Sequence, residues 1–264
     1  MNIFWREIKA NFRSLLLWGV IVVLLALEGF AEFSAYADNP ELLAILDSMP
    51  QSLLDAFNMR AFNLTTVSGF YGVMFIYFAL LLSIAAAMWG SDVITKEERD
   101  KTAEFALTLP VTRSRLVTAK ILAVLVNCLG LLLITWGAVA FNARSYRPDA
   151  EFYRFLRLSM LALFFLQLIF LALGVFLGCA MRRYKRAGAM AVAVLLISYF
   201  FSIISAMHEK LEWLKYLSPF RYFDAAVLLH ESRMDPLFIG LSIGIVVCCL
   251  AGAYFFYARR DIYI

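Results

Sequence analysis

The stretch KEERDKTAEFALTLPVTRSRLVTAK, running from Lys96 to Lys120, decides how the chain is read. It holds six basic and four acidic residues between two long apolar stretches, in a chain that is 63% hydrophobic and 17% charged. Soluble domains are roughly 45–50% apolar and must also build a polar surface. Here long blocks carry no charge at all, which points to lipid as the solvent. Charge gathered at one internal point of such a chain marks a place where it leaves the membrane.

Working outward from that point, six blocks are apolar for the ~20 residues that a helix needs to cross a ~30 Å hydrocarbon core. They lie at about 15–36, 67–89, 117–141, 158–181, 187–207 and 237–257. Each is expected to be helical, because lipid offers no partner to a free backbone N–H or C=O. The predicted fold is therefore an all-α polytopic membrane protein, a single transmembrane domain over residues 1–264 with six spans, no internal repeat and no soluble domain. Lysine and arginine number 15 in the N-terminus, the 90–120 and 181–186 connectors and the C-terminus, against 9 in the alternate connectors. The positive-inside rule then places the first set, and both termini, in the cytoplasm.

The opening MNIFWREIKANFR lacks the short apolar core and small-residue cleavage site of a signal peptide, so it is expected to stay. Phe4, Ile8 and Phe12 recur every four residues beside Trp5, while Arg6, Lys9 and Arg13 fall elsewhere on the wheel. That predicts a short interfacial helix over 1–13, the plainer alternative being a basic flank of the first span. On the outer side, Pro40 and Pro50 predict two short amphipathic helices in 39–60. The outer stretch 208–236 carries Trp213, Tyr216, Phe220, Tyr222 and Phe223 around Pro219. It reads as a re-entrant helix–break–helix, or as a surface loop with an aromatic anchor.

Polar residues inside the spans have two readings each. Glu28 and Glu32 are one turn apart and line a pathway or cation site, unless the first span ends near Leu27 and leaves both in the outer interface. Asn127 and Gln167 are hydrogen-bonding partners between helices or a lining of the pathway. Gly174 with Gly178, and Gly240 with Gly244, are GxxxG pairs that allow close approach, within the chain or between subunits. Cys128, Cys179, Cys248 and Cys249 lie in apolar blocks without CxxC spacing, and the two histidines, His208 and His230, are too few for a His-rich site, so neither a metal site nor a disulfide is expected.

Back at the charged stretch, residues 92–109 read as one short helix outside the membrane. Val93, Ala103, Phe105 and Leu107 form its apolar side and Lys96, Glu97, Arg99 and Asp100 its exposed side. Glu97 and Lys101 have favourable i,i+4 spacing. Leu109-Pro110 ends it, since the residue before proline avoids the α region. A rigid charged helix held between two spans suits docking on a soluble partner; a solvated loop with topological charge is the alternative.

Glu98, Thr102, Glu104, Leu107, Leu109-Pro110, Arg113 and Lys120 resemble the signature of type-2 ABC transporter permeases, with Lys101 where that family commonly has glycine. The N-terminal helix is similar to the family's elbow helix, Tyr216-Leu217-Ser218-Pro219-Phe220 to its aromatic-proline segment, and Ala258-Arg259-Arg260-Asp261 to its usual ending. The resemblance implies the membrane subunit of an exporter in a bacterial cell membrane, working as two permeases, identical or sister chains, with two cytoplasmic ATPases. It makes 92–109 a coupling helix, with Lys96, Glu97, Glu98, Arg99, Lys101, Thr102, Glu104, Phe105 and Leu107 as its ATPase-docking residues. The chain has no GxxxxGKS/T phosphate loop, so ATP and Mg²⁺ belong to the partner ATPase and this chain is expected to bind no cofactor and to be no enzyme by itself. Nucleic acid is not an expected partner, and cargo is not legible. The rival readings are a non-transporting scaffold or sensor and an intramembrane enzyme, although no HExxH or GxSxG is present.

Overall fold

The computed structural model of the chain describes residues 3–37, 62–100, 112–181, 184–207 and 209–259. Its α-helices are α1 (Ile3–Tyr36), α2 (Val67–Arg99), α3 (Arg113–Ala143), α4 (Ala150–Ala180), α5 (Tyr184–Met207), α6 (Pro219–Tyr222), α7 (Ala225–His230) and α8 (Pro236–Ala258). Six of them, α1 to α5 and α8, are long and apolar enough to cross a membrane. They coincide with the six apolar blocks of the sequence. The outer segment 39–60 lies outside the described residues.

Local chemistry fixes where helices begin. Thr66, Thr112, Asp149 and Asp235 precede α2, α3, α4 and α8, and each side chain accepts from a backbone N–H of the first turn. That satisfies a donor that has no intrahelical partner. Pro236 stands at the first turn of α8, where a missing N–H costs nothing.

Helix α2 is the central post: 72% of its apolar window is buried, against 61% for α4 and 11% for α8. Its contact with α4 is backbone against backbone. A Cβ on Gly174 would sit 2.3 Å from the Ala87 carbonyl oxygen, and one on Gly90 2.5 Å from that of Leu171. Nearer the Val67 end of α2 the two helices are joined by a buried 2.8 Å hydrogen bond between Tyr71 Oη and Ser159 Oγ, with the Tyr71 ring edge-on to Phe152 and Phe155. Helix α1 pairs with α3, where Gly19 meets Ile134 and Gly130 meets Leu15. Tyr146 Oη donates to the Phe30 carbonyl at 2.8 Å at the far end of that pair. Trp89 Nε1 donates to Ser14 Oγ at 2.8 Å and ties α2 to α1.

Three boundaries differ from the sequence reading. Residues 3–13 are not a separate interfacial helix but the first turns of α1, which continues unbroken to Tyr36. Residues 92–99 are likewise the last turns of α2, which passes through Gly90 and Ser91 and ends at Asp100, so no separate helix begins at 92. The first half of the 208–236 segment is a 3₁₀ helix, Glu209–Leu217, and the break falls at Ser218, where Pro219 opens α6. Phe220, Tyr222 and Phe223 are buried against the bundle, while Trp213 and Tyr216 stay exposed.

The α2–α4 contact leaves no room for a side chain at Gly174, whereas a Cβ on Gly240 meets nothing within 4 Å. Gly174→Val is expected to cut the yield of monodisperse protein in size-exclusion chromatography severalfold, and Gly240→Val to leave it unchanged. Equal yields from the two variants would refute the assignment of α2–α4 as the packing axis.

Candidate functional site

Helices α1, α2 and α3 have 34, 33 and 31 residues, or ~46–51 Å at 1.5 Å per residue, well beyond a ~30 Å hydrocarbon core. The excess of all three gathers at the two roots of the Lys96–Lys120 stretch. There Glu7 of α1, Lys96 and Glu97 of α2 and Lys120 of α3 form a charge cluster with Arg6. Lys96 Nζ pairs with Glu7 Oε2. Arg6 Nη2 lies 3.2 Å from Glu7 Oε1 and 3.3 Å from Glu97 Oε1. Lys120 Nζ sits 2.9 Å from Glu97 Oε2 and donates to the Val93 carbonyl, also at 2.9 Å. Glu7 and Lys120 are fully buried and Glu97 is 8% exposed.

Each carboxylate thus faces two cations, one on each oxygen. A buried ion pair breaks even only when geometry and extra hydrogen bonds repay desolvation; here the Val93 carbonyl supplies the extra acceptor for Lys120. The arrangement does two things mechanically. It closes the connector, because Glu97 at its start is paired with Lys120 at its end. It also fastens that closed base to the first helix through Glu7 and Arg6.

The inward face of α1 explains why its first turns join the bundle. Glu7, Asn11 and Ser14 recur at i, i+4, i+7, with Glu7 and Asn11 buried and Ser14 bonded to Trp89. Trp5 and Phe12 point away, 59% and 52% exposed. The polar stripe, not the aromatic one, is what packs on protein. Arg6 and Glu7 were not among the site residues singled out by sequence, although the spacing of Glu7, Asn11 and Ser14 carried the signal, and Lys120 was named only as part of the family signature.

The expected docking residues divide. Glu97 is a correction: it is buried in the cluster rather than exposed, and its partners are Arg6 and Lys120. Lys96 is engaged by Glu7 with a side chain 12% exposed. Arg99 is exposed and paired with Asp92 and Asp100, and Glu98 is half-buried. Lys101, Thr102, Glu104, Phe105 and Leu107 lie outside the described residues. Beyond the connector, Arg113 Nη1 donates to the Ala258 carbonyl at 3.2 Å, a cation on the C-terminal end of α8 where the helix dipole favours it.

The remaining candidates are not brought together. Glu28 and Glu32 are exposed on α1, whereas Asn127 of α3 and Gln167 of α4 are buried. Gln167 Nε2 donates across that contact to the Cys128 carbonyl at 3.2 Å. Gln167 Oε1, Asn127 Nδ2 and Ser83 Oγ are buried without a hydrogen-bond partner among the described residues. Gly174 and Gly178 face α2 within the chain, whereas Gly240 and Gly244 face open space. In the outer segment Tyr222 Oη donates to the Tyr216 carbonyl at 2.5 Å, and Pro219, Phe220 and Tyr222 are buried. Ser218 Oγ pins the segment to α5 through the Ser198 carbonyl at 2.6 Å. A pocket between α2, α5 and this segment has about 60 Å³, room for water rather than for an ordinary ligand, whose sites measure ~300–1,000 Å³.

Removing one partner of a buried pair strands the other charge, at about 3–5 kcal/mol. Lys120→Met is therefore expected to lower the thermal midpoint of the detergent-solubilised protein by several degrees. Adding Glu97→Gln to it should restore most of the loss, because no carboxylate is then left short of a cation. A double variant less stable than Lys120→Met alone would contradict the cluster.

The six spans, the closed connector and the packing of α1 on its base are the features to set beside known proteins. No curated protein matches the chain. The family model described as ABC-2 family transporter protein matches residues 1–262. With that match covering nearly its whole length, the chain belongs to the ABC-2 transporter family and is a multi-pass permease component of a membrane transport system.

Proposed function

We propose that the chain is the transmembrane permease subunit of an ATP-driven exporter, that it forms half of a substrate pathway completed by a second permease copy or a sister chain, and that separate cytoplasmic ATPase subunits drive it. ATP and Mg²⁺ sit in those ATPases. The observation that carries this reading is the charge cluster at the base of the Lys96–Lys120 stretch, within a chain of the ABC-2 family. A docking segment is useful only if its displacement reaches the spans. Here its two roots are paired to each other and the α2 root is paired to α1, so a displacement of the segment enters α1, α2 and α3 together. ATP binding favours one arrangement of the two halves only through such a differential contact. The docking surface itself is then the part of 96–110 that the cluster does not consume, with Glu98, Arg99, Lys101, Thr102, Glu104, Phe105 and Leu107 as its residues.

Co-expression with the ATPase encoded nearest the gene tests the pairing. Glu98→Lys and Glu104→Lys are expected to reduce its co-purification severalfold while the permease elutes unchanged. Undiminished capture by both variants would overturn the docking role. A cysteine at position 101 is expected to be labelled from the cytoplasmic side only; labelling from outside would reverse the topology.

A further inference from the structure

Helix α8 is the least buried of the spans, with 11% of its apolar window covered, yet both of its ends are held. We propose that α8 is a lever that carries a displacement of the Lys96–Lys120 stretch to residues 209–230 at its other end, with Arg113 as the positioning residue that engages it. This role rests on the ATPase-driven reading above, which supplies the motion.

At one end the ties are polar. Arg113 Nη1 donates to the carbonyls of Ala258 at 3.2 Å and Tyr257 at 3.4 Å, and Thr118 Oγ1 lies 2.7 Å from Tyr254 Oη. Those carbonyls belong to the last turn of α8, where no intrahelical donor remains for them, and a cation there also meets the negative end of the helix dipole. Arg113 opens α3 directly after the connector, so motion passed along the chain into α3 goes through it. At the other end Phe238, in the first turn of α8, stacks on Tyr222 with ring centroids 5.0 Å apart and planes at 12°, and meets the Tyr216 ring at 6.0 Å. Tyr222 Oη donates to the Tyr216 carbonyl and Ser218 Oγ to the Ser198 carbonyl of α5, so a push on Phe238 is handed to a segment that is itself cross-tied. Between the ends lies one unbroken helix of 23 residues, ~34 Å long at 1.5 Å per residue. Its close contact with α4 falls near the Arg113 end: a Cβ on Gly252 would lie 2.8 Å from the Phe176 ring, and Phe176 meets Phe256 edge-on at 5.9 Å. Gly240 and Gly244, nearer Phe238, meet nothing within 4 Å. About Gly252 as pivot, the arms to Ala258 and to Phe238 are ~9 Å and ~21 Å, so a shift at Arg113 is roughly doubled at Phe238. Lipid opposes such a tilt weakly, because its tails replace apolar side-chain contacts at little cost. A rigid element held at both ends is a physical link of the kind that carries coupling.

The test is hydrogen–deuterium exchange mass spectrometry of the full chain in complex with the ATPase encoded nearest the gene, nucleotide-free and with ATP plus vanadate. Amide exchange reports local opening region by region. In wild type, nucleotide is expected to change exchange severalfold both at 92–99, beside the connector, and at 219–230, beyond the far end of α8. Arg113→Gln should remove the change at 219–230 and leave that at 92–99. Phe238→Leu breaks the far contact instead and should do the same, so it carries the test if Arg113→Gln does not elute as wild type does. A nucleotide-dependent change at 92–99 without one at 219–230 overturns the lever alone. So does a change at 219–230 that survives Arg113→Gln or Phe238→Leu. No change at either place with the ATPase bound overturns the ATPase-driven reading, and the lever with it.

Discussion

The buried ammonium of Lys120 is the constraint on which one end of the molecule depends. A fully buried cation costs several kcal/mol unless carboxylate and carbonyl oxygens replace its water. Glu97 and Val93 supply them, and both belong to the last turns of α2. Helix α2 must therefore stay helical beyond the apolar block that ends near residue 89. Glu97 in turn needs a second cation, which Arg6 provides, and Lys96 needs the carboxylate of Glu7. Both come from α1 before the apolar block that starts at 15. The overshoot of the helices is thus a consequence of satisfying five charges, not of apolar length.

This explains which parts of the fold could be read from the chain and which could not. The spans were legible because length and apolarity alone set them. The starts of α3 and α4 were placed four and eight residues late, because the capping side chains of Thr112 and Asp149, ordinary cap residues, were not used in that reading. The ends of α1 and α2 near the Lys96–Lys120 stretch were misplaced because polarity was taken as exposure. Thr95 and Glu97 look like residues leaving a membrane, yet neighbouring helices bury both. Whether a charge faces water or a buried partner depends on residues some 20 and 90 positions away, and no local pattern holds that information. For α1 the pattern did exist, but the aromatic spacing of Phe4, Ile8 and Phe12 was the more conspicuous of two stripes. In lipid the usual inference inverts: an aromatic stripe can face outward at no cost, and the polar stripe marks the protein contact.

The two GxxxG pairs make the same point about what a motif contains. Gly174 and Gly178 in α4 and Gly240 and Gly244 in α8 have identical spacing. The first pair packs because α2 offers Ala87 and Ser91 opposite it, so that two backbones approach. The second pair has no such complement within the chain. Small residues permit close approach but do not create it; the partner surface decides. Hence the motif specified a capacity in both helices and a contact in one.

Low burial of α5 and α8 does not make them weak. Lipid tails are as apolar as leucine, so burying a span's side chains against protein gains little over leaving them in the bilayer. What holds such a bundle is a small number of close contacts and polar pairs, and these are unevenly placed: the glycine contact and Tyr71–Ser159 between α2 and α4, Trp89–Ser14 between α2 and α1, and the ion cluster among α1, α2 and α3. Helices α1 to α4 are therefore joined at several levels, while α5 is pinned in its second half by the hydrogen bond from Ser218 Oγ to the Ser198 carbonyl. A displacement applied at the Lys96–Lys120 stretch enters the tightly joined set directly and reaches α5 through its packing on α2 and α4. A groove and a small pocket both open along the contact of α2 with α5, where such close contacts and polar pairs are fewer than between α2 and α4.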